Sequence, residues 1–592
     1  MVFLDARKHL AAFCRAQMKS PDRAALASLL ALALLASASG ATFEGLLLGF
    51  ETDASAVSAD GSTVVGGYSI TNGGSHGYRW TPCGVIGLGD LPNTGITNAY
   101  DVSGDGSVVV GFSGGDAFRW APGTCIIGLG LSSPAVATVV SDDGTVILGY
   151  GRLNGQFSQQ QAFMKIGNGP VAAFDFPDII DIFAVSRDNS IVVGGAGSAY
   201  RWNASTGAIQ LPDLDPNFYQ TSTAFDISAD GTVIVGTSVK NVGTSTNPSG
   251  EVHLVTWTGP NNTITDLGAL DSTNGTGASA DATNADGSII VGEAVDRTGS
   301  EPVAYAFIWD ATNGIRNLQD VLTNNYGLGS QLSGWQLTDA TGISDDGNVI
   351  AGNGVYTDSS LNSTDEAWRV IFGGRPLSLC SAASRANQNG TSYDISLICG
   401  VAVTPTSPQK QATASAGSQS SQIECRSGDG SGNGNYTVVL TFSNSLSSVG
   451  GASASESGCG TIGVSNTTIS GSDYIVNLTG VCNAQYVTVT LTNVNDSTGG
   501  HLDTLTGPPM GVLIGDTNGD GFVNSADISQ TKSQSGQAVG SSNFREDLNA
   551  DGFINSADIS LVKSKSGTAL PPPPTMAASS RQQRPHGPQR SR

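Results

Sequence analysis

The sequence predicts a mainly β chain of three folded parts, and three observations carry that prediction. A strand-and-turn phrase recurs seven times between residues 42 and 372, short alternating strands follow, and one phrase rich in carboxylates and glycine is written twice near the end. Recurrence at a spacing of tens of residues marks repeat architectures. At 592 residues the chain is too long for one core. With 13% charged residues and 78 glycines, it suits short strands and tight turns better than long helices.

The first part is built on Asp-Gly, then Ser or Thr, then a β-branched run ending in Gly. The copies are "ADGSTVVGG" at 59, "GDGSVVVGF" at 104, "DDGTVILGY" at 142, "RDNSIVVGG" at 187, "ADGTVIVGT" at 229, "ADGSIIVGE" at 285 and "DDGNVIAGN" at 345. Asp-Gly at a strand junction supplies the positive-φ residue of a tight turn. The fourth copy has Asn189 in the glycine position, the next best residue for that conformation. Each run reads as a buried strand, and the aromatic phrase after it ("YRW" at 78, "FRW" at 118, "VTW" at 255) as a strand packing on it. A spacing of about 38 to 60 residues suits four-stranded blades, so residues 42–372 read as a seven-bladed β-propeller. "FEGLLLGF" at 43–50 resembles a last strand placed before the first copy, so it is expected to complete the final blade and leave no open sheet edge.

The phrases "DAF" at 116, "QAF" at 161 and "YAF" at 305 are similar to those of bacterial extracellular HAF-repeat propellers, with the family's His replaced in each. That resemblance implies a secreted propeller and names no chemistry. The repeated Asp60, Asp105, Asp143, Asp188, Asp230, Asp286 and Asp346 read as turn caps, not as a catalytic ring. The sequence has no HExxH and no Cys/His nucleophile arrangement. It nominates no carboxylate pair for glycoside hydrolysis.

Residues 373–425 read as a Ser/Gln/Thr-rich linker with a Cys-stapled appendage, and 426–510 as an Ig-like β-sandwich spacer of strands such as "YTVVLTFS" and "YVTVTLTNV". Tyr436, Phe442, Tyr474 and Tyr486 are the aromatic supply from which that domain would stack on a sugar.

"GDTNGDGFVNSADIS" from Gly515 and "EDLNADGFINSADIS" from Glu546 then place equivalent residues 31 apart. Read as calcium loops, the first offers Asp516, Asn518, Asp520, Phe522 through its carbonyl, Asn524 through water and Asp527. The second offers Asp547, Asn549, Asp551, Phe553, Asn555 and Asp558 in the same roles. Oxygens at positions 1, 3 and 5 fall on one side of a tight turn, Gly521 or Gly552 at position 6 makes that turn, and position 12 returns a carboxylate from the following helix. One loop cannot make a core, whereas two loop-helix units can pack into one.

Asp rather than Glu at position 12, two loops and a length near 60 residues resemble the type I dockerin module over residues 511–570. The resemblance implies two bound Ca²⁺ and a cohesin-like partner. It also implies recognition through loop positions 10 and 11, here Ser525 with Ala526 and Ser556 with Ala557, and through the helix residues Lys532 and Lys563. Residues 571–592 read as a disordered Pro/Arg tail.

Residues 1–38 read as a signal peptide: a basic stretch, then "AALASLLALALLA", too short for a stable membrane span. An exported chain is expected to form disulfides; the spacings suggest Cys83 with Cys125, Cys380 with Cys399, and Cys459 with Cys482, connectivity staying open. The formal charge of −23 argues against a nucleic-acid partner, whose phosphates it would repel. The first functional reading is a secreted, non-catalytic binding or scaffold protein docking through its calcium module. The alternative is an extracellular polysaccharide-degrading enzyme, a glycoside hydrolase or lyase with its site on the propeller, which makes polysaccharide a second candidate partner.

Overall fold

The computed structural model describes residues 41–573, except 47–50, 71–73, 93–94, 154–159, 177–181, 196, 217–221, 244–249, 272–277, 298–300, 374–376, 399–400, 403–421, 431–432, 459–461 and 498. The expected signal peptide, most of the expected linker and the tail beyond 573 lie outside the described residues.

The repeat phrases build antiparallel four-stranded meanders. In the first, Thr52–Val57, Val64–Ile70, Gly74–Thr81 and Gly84–Gly87 pair in chain order. The pattern repeats over 97–128, 132–173, 182–210, 222–271 and 279–317, the last two sheets touching through one parallel pairing of Asp271 with Val295. The β-branched run and the aromatic strand are hydrogen-bonded neighbours in one sheet, with Val64 opposite Trp80 and Gly66 opposite Tyr78. Apolar faces meet between successive sheets. Val65, Ala99, Val109, Phe118 and Trp120 form one such layer, and Val108, Val110, Ala137, Ile147 and Phe163 the next.

The final meander holds Trp335–Ile343, Val349–Thr357 and Ser363–Ile371, and its fourth strand is Thr42–Gly45 from the N-terminal side. Thr42 faces Ile371 and Gly45 faces Trp368. Phe43 packs edge-on against Trp335 at 5.2 Å, and Glu44 pairs with buried Arg369 at 2.9 Å. The strand therefore sits where the "FEGLLLGF" phrase pointed, although residues 47–50 of it are outside the described set.

Six of the seven repeat turns are stapled in the same way, and in the sixth Asn284 takes the place of the serine. Ser58 Oγ donates to Asp60 Oδ1, which also accepts the N–H of Ser62, while Ser58 Oγ accepts the N–H of Thr63. The same carboxylate-to-N–H bond recurs at Asp105, Asp143, Asp188, Asp230, Asp286 and Asp346. The glycine, or Asn189, that follows has φ between 60° and 74°. These carboxylates cap turns.

Successive turns are also bonded to one another. Backbone N–H groups of Asp60, Gly104, Arg187, Ala229, Ala285 and Asp345 donate in turn to the carbonyls of Gly104, Asp142, Ala229, Ala285, Asp345 and Ala59. The junction between the third and fourth turns is made by the Arg187 side chain, whose Nε donates to Asp142 Oδ2 at 2.7 Å. The circuit returns to the first turn.

One element was not expected. Residues Leu318–Tyr326 form a helix capped by the Asn317 side chain and ended by Gly327 at φ 70°. Leu318, Val321 and Leu322 bury into the layer that holds Trp335 and Trp368.

Beyond residue 377 two sheets share one core, which includes Ala382, Val438, Leu440, Val476, Leu491 and Val512. One sheet runs in the order Thr391–Ser396, Leu379–Gln388, Tyr436–Phe442, Asp473–Thr479, Gly463–Ser470. The other holds Ile423–Glu424, Met510–Val512, Gln485–Asp496 and Leu446–Glu456, with His501–Thr506 added on Gln485–Asp496. Residues 379–396 are thus paired strands and not the linker expected over 373–425. Their alternation was hidden by small residues: Ala382, Ser384 and Ala386 are the inward positions.

The cysteines differ from expectation too. Cys83 is bonded to Cys380, which ties the first repeat sheet to the first sandwich strand, so the pairings Cys83–Cys125 and Cys380–Cys399 do not form. Proximity in sequence was a poor guide because the sandwich folds back onto the first sheet, where Val401–Ala402 pairs with Gly87 and Ile86. Cys125 and Cys482 are also in disulfides, while Cys425 is a buried free thiol; Cys459, the partner expected for Cys482, lies outside the described residues. Among the described residues no helix is long and apolar enough to cross a membrane.

Candidate functional site

The two acidic loops lie at the C-terminal end of the chain, each leading into a ten-residue helix, Ser525–Gln534 and Ser556–Lys565. Both helices begin with a complete capping box. Asn524 and Asn555 accept from the second helical N–H, and Asp527 and Asp558 accept the N–H of the capping Asn at 2.8 and 2.9 Å. The position-12 carboxylate therefore fastens its helix to its own loop. Its second oxygen reaches back to the loop's start: Asp527 Oδ1 accepts from Asn518 N at 3.2 Å, and Asp558 Oδ1 from Leu548 N at 2.9 Å.

Position 1 organises the turn from inside. Asp516 accepts N–H groups of Gly519, Asp520 and Gly521 at 2.8, 3.1 and 2.9 Å. Asp547 accepts those of Asp551 and Gly552 at 3.2 and 2.9 Å. Asn518 and Asn549 bond the N–H two residues on, as do Asp520 and Asp551. Gly521 and Gly552 take φ of 85° and 88°, the turn that position 6 was expected to make.

Asp516, Asp527, Asp547 and Asp558 are fully buried, although none pairs with a cationic side chain within salt-bridge distance in the described structure. Burial pushes the carboxyls of Asp516 and Asp547 up to about 6, with the nearby charges of Asp527 and Asp558 adding to the shift. Two crowded, buried, like-charged carboxylates per loop form an environment that a cation would relieve. The donor set of carboxylate, amide and backbone carbonyl oxygens fits a hard divalent ion. In the present geometry these carboxylates bond the loop's own N–H groups, and among the described residues no three His, Cys, Asp or Glu side chains converge as a metal cluster.

The two units interlock. Phe522 bridges to Ala569 beyond the second helix, and Phe553 to Ala538 beyond the first. Val523, Leu548 and Val562 share one core with Ile423 and Leu513. The residues singled out for recognition, Ser525, Ala526 and Lys532 in one unit and Ser556, Ala557 and Lys563 in the other, are all exposed. Phe522 and Phe553 stand out beside them, 59% and 63% exposed. Sequence reading gave these two only a carbonyl role; their aromatic type at position 7 of both loops was the available signal.

Elsewhere the structure brings together groups that the sequence could not. Asp281 and Asp339, on neighbouring inner strands of the repeat region, are close enough to interact, and burial raises both carboxyls. Tyr436, Phe442 and Tyr474 are core residues of the sandwich, which removes them as a sugar-stacking platform.

No curated protein matches the chain. Among solved structures, one assigned as TolB from Agrobacterium tumefaciens aligns at 13% identity and TM-score 0.26, over 43% of this chain and 88% of that one. The WD40 domain of SCAP from fission yeast aligns at 11% identity and TM-score 0.24, over 56% and 95%. Scores of this size carry no argument about fold or function. The family described as "Dockerin type I domain" matches residues 514–565, the stretch that holds both loops and both helices. Residues 514–565 are thus a type I dockerin domain, of the class of calcium-binding modules that dock onto cohesin partners.

Proposed function

We propose that the chain is a secreted, non-catalytic binding or scaffold protein whose C-terminal dockerin binds two Ca²⁺ and docks it onto a cohesin-like partner. The observation that carries this reading is the duplicated loop-helix unit, in which each helix is capped by its loop's own position-12 carboxylate. Asp516, Asn518, Asp520, the Phe522 carbonyl, Asn524 and Asp527 would hold one ion, and Asp547, Asn549, Asp551, the Phe553 carbonyl, Asn555 and Asp558 the other. When bound, calcium supplies the positive charge that these buried carboxylates lack. The chain's own part is positional. The capping carboxylates fix the start of each helix, and so fix where Ser525, Ala526 and Lys532, or Ser556, Ala557 and Lys563, stand on the exposed face. Two near-equivalent faces allow the same partner to be met in two orientations.

Residues 42–372 are read as a seven-bladed propeller. The circuit of turn-to-turn bonds and the N-terminal strand in the last sheet support that count. Such a ring displays binding loops on a rigid body, with the sandwich standing between it and the dockerin. Calorimetric titration of calcium into metal-free chain tests the metal reading. Two ions are expected for the wild type, one for Asp516→Ala or Asp547→Ala, and none for the double variant; titration unchanged by the double variant would overturn it.

A further inference from the structure

The two loops are nearly identical in sequence, yet they are held from different places. In each, the backbone carbonyls of position 1 and of the next residue are gripped by a donor. For the first loop the donor lies within the dockerin: Arg545 Nη2 to the Asp516 carbonyl at 3.0 Å, and Arg545 Nε to the Thr517 carbonyl at 2.9 Å. For the second loop the donors come from the sandwich. Gln388 Nε2 donates to the Asp547 carbonyl at 3.1 Å and to the Phe544 carbonyl at 2.9 Å, and the Ser427 N–H donates to the Leu548 carbonyl at 2.7 Å.

Packing follows the same division. Gln388 ends the strand Leu379–Gln388 and is 2% exposed. The next residue, Asn389, presses on the position-6 glycine of the second loop: a Cβ on Gly552 would fall 2.4 Å from Asn389 Cβ. Gly430 abuts the Asn549 carbonyl, which a Cβ there would meet at 2.3 Å. At Gly521, the equivalent glycine of the first loop, no atom lies within 4 Å of that position. Tyr393 stacks on Phe544 at 5.3 Å, closing the contact from the other side.

We propose that the sandwich is a working part of the second calcium site, with Gln388, Asn389 and Ser427 as its positioning residues. None of them touches the ion. They hold the backbone that carries Asp547, so the loop has less freedom to lose when its oxygens turn onto a cation. The first loop carries its own clamp in Arg545 for these two carbonyls, and meets the sandwich side at its entry, where the Gly515 N–H donates to the Cys425 carbonyl at 2.9 Å. The sites are therefore unequal, and by linkage calcium in the second loop stabilises the seating of the dockerin on the sandwich by the same factor. This inference rests on the calcium reading above.

The test uses the full chain in two single-site backgrounds, with calcium chloride titrated by calorimetry. Asp516→Ala leaves the second loop to report, and Asp547→Ala leaves the first. Gln388→Met keeps the side-chain volume and removes the donor. It is expected to weaken calcium binding about tenfold in the Asp516→Ala background, the scale of one to two hydrogen bonds, and less than twofold in the other. Asn389→Gly, which suits the φ of 51° at that position, is expected to act the same way by about threefold even if Gln388→Met folds poorly. Equal weakening in both backgrounds, or no change in the Asp516→Ala background, would overturn the proposal. If neither background binds calcium before these changes are made, the calcium reading itself fails instead.

Discussion

Arg187 bonds Asp142 across adjacent turns of the repeat region, Nε to Oδ2 at 2.7 Å, and its Nη2 reaches Asp345 as well. One guanidinium thereby ties three turns together at the point where side chains take over from the backbone circuit. Without it, two carboxylates would be left facing the same small space.

Arg187→Met should therefore destabilise the repeat region by about 1 kcal/mol, since the groups are part-exposed and screened. Adding Asp142→Asn should return part of the loss, because the uncompensated charge is then removed. Denaturant unfolding of the two variants and of Asp142→Asn alone completes the cycle; strict additivity would refute the link.

The glycine that ends each β-branched run is predicted to be intolerant of any side chain. A Cβ on Gly111 would lie 2.0 Å from the Asn98 carbonyl, and one on Gly66 would lie 1.9 Å from the Asp53 carbonyl, both across a bulge in the inner strand. Gly111→Ala should cost about 2–4 kcal/mol in thermal or denaturant unfolding.

Acidity should act on the repeat region in an uncommon direction. Burial pushes the carboxyls of Asp101 and Asp226 up to about 7, although each accepts an N–H from the next sheet, Val140 and Thr283. Because the folded state then holds these protons more tightly than the unfolded chain, their contribution is fully present below pH 4 and fades as pH rises through 7. The melting temperature of the repeat region should fall between pH 5 and 7.5, and Asp101→Asn with Asp226→Asn should flatten that slope. An unchanged slope in the double variant would count against the assignment.

Cys425 should be silent to thiol reagents until the chain unfolds. Its thiol is buried and pushed up to about 12 by that burial, and its Sγ lies 3.4 Å from the Arg545 carbonyl, inside the contact between sandwich and dockerin. Alkylation that tracks global unfolding is expected. Rapid labelling of the folded, disulfide-intact chain would show that this contact opens.

Much of this arrangement was legible in the sequence because it is written repeatedly. Asp-Gly punctuation located every repeat turn, and the Asn189 copy showed what the glycine was for. A serine two residues before six of the seven Asp, such as Ser58 and Ser103, is equally visible and completes the staple, with Asn284 in its place in the sixth turn. Loop positions in the dockerin were legible for the same reason, since both copies agree. What stayed hidden depends on contacts between distant segments. The inward face of Leu379–Gln388 is too small and polar to signal a strand, and nothing near Gln388 in sequence points to Asp547. The Cys83–Cys380 bond and the helix at Leu318–Tyr326 are likewise set by packing that local pattern does not record.

The most direct test of the central claim is the affinity of the full chain for type I cohesin domains from the source's own secreted proteins, measured in calcium and again in chelator. Tight binding in calcium, lost in chelator and in Asp516→Ala with Asp547→Ala, is predicted. Charged replacements at Ser525 and Ala526, or at Ser556 and Ala557, should each be tolerated alone and abolish binding together. Binding that persists in the double Asp variant, or no binding to any such cohesin in calcium, would contradict the account.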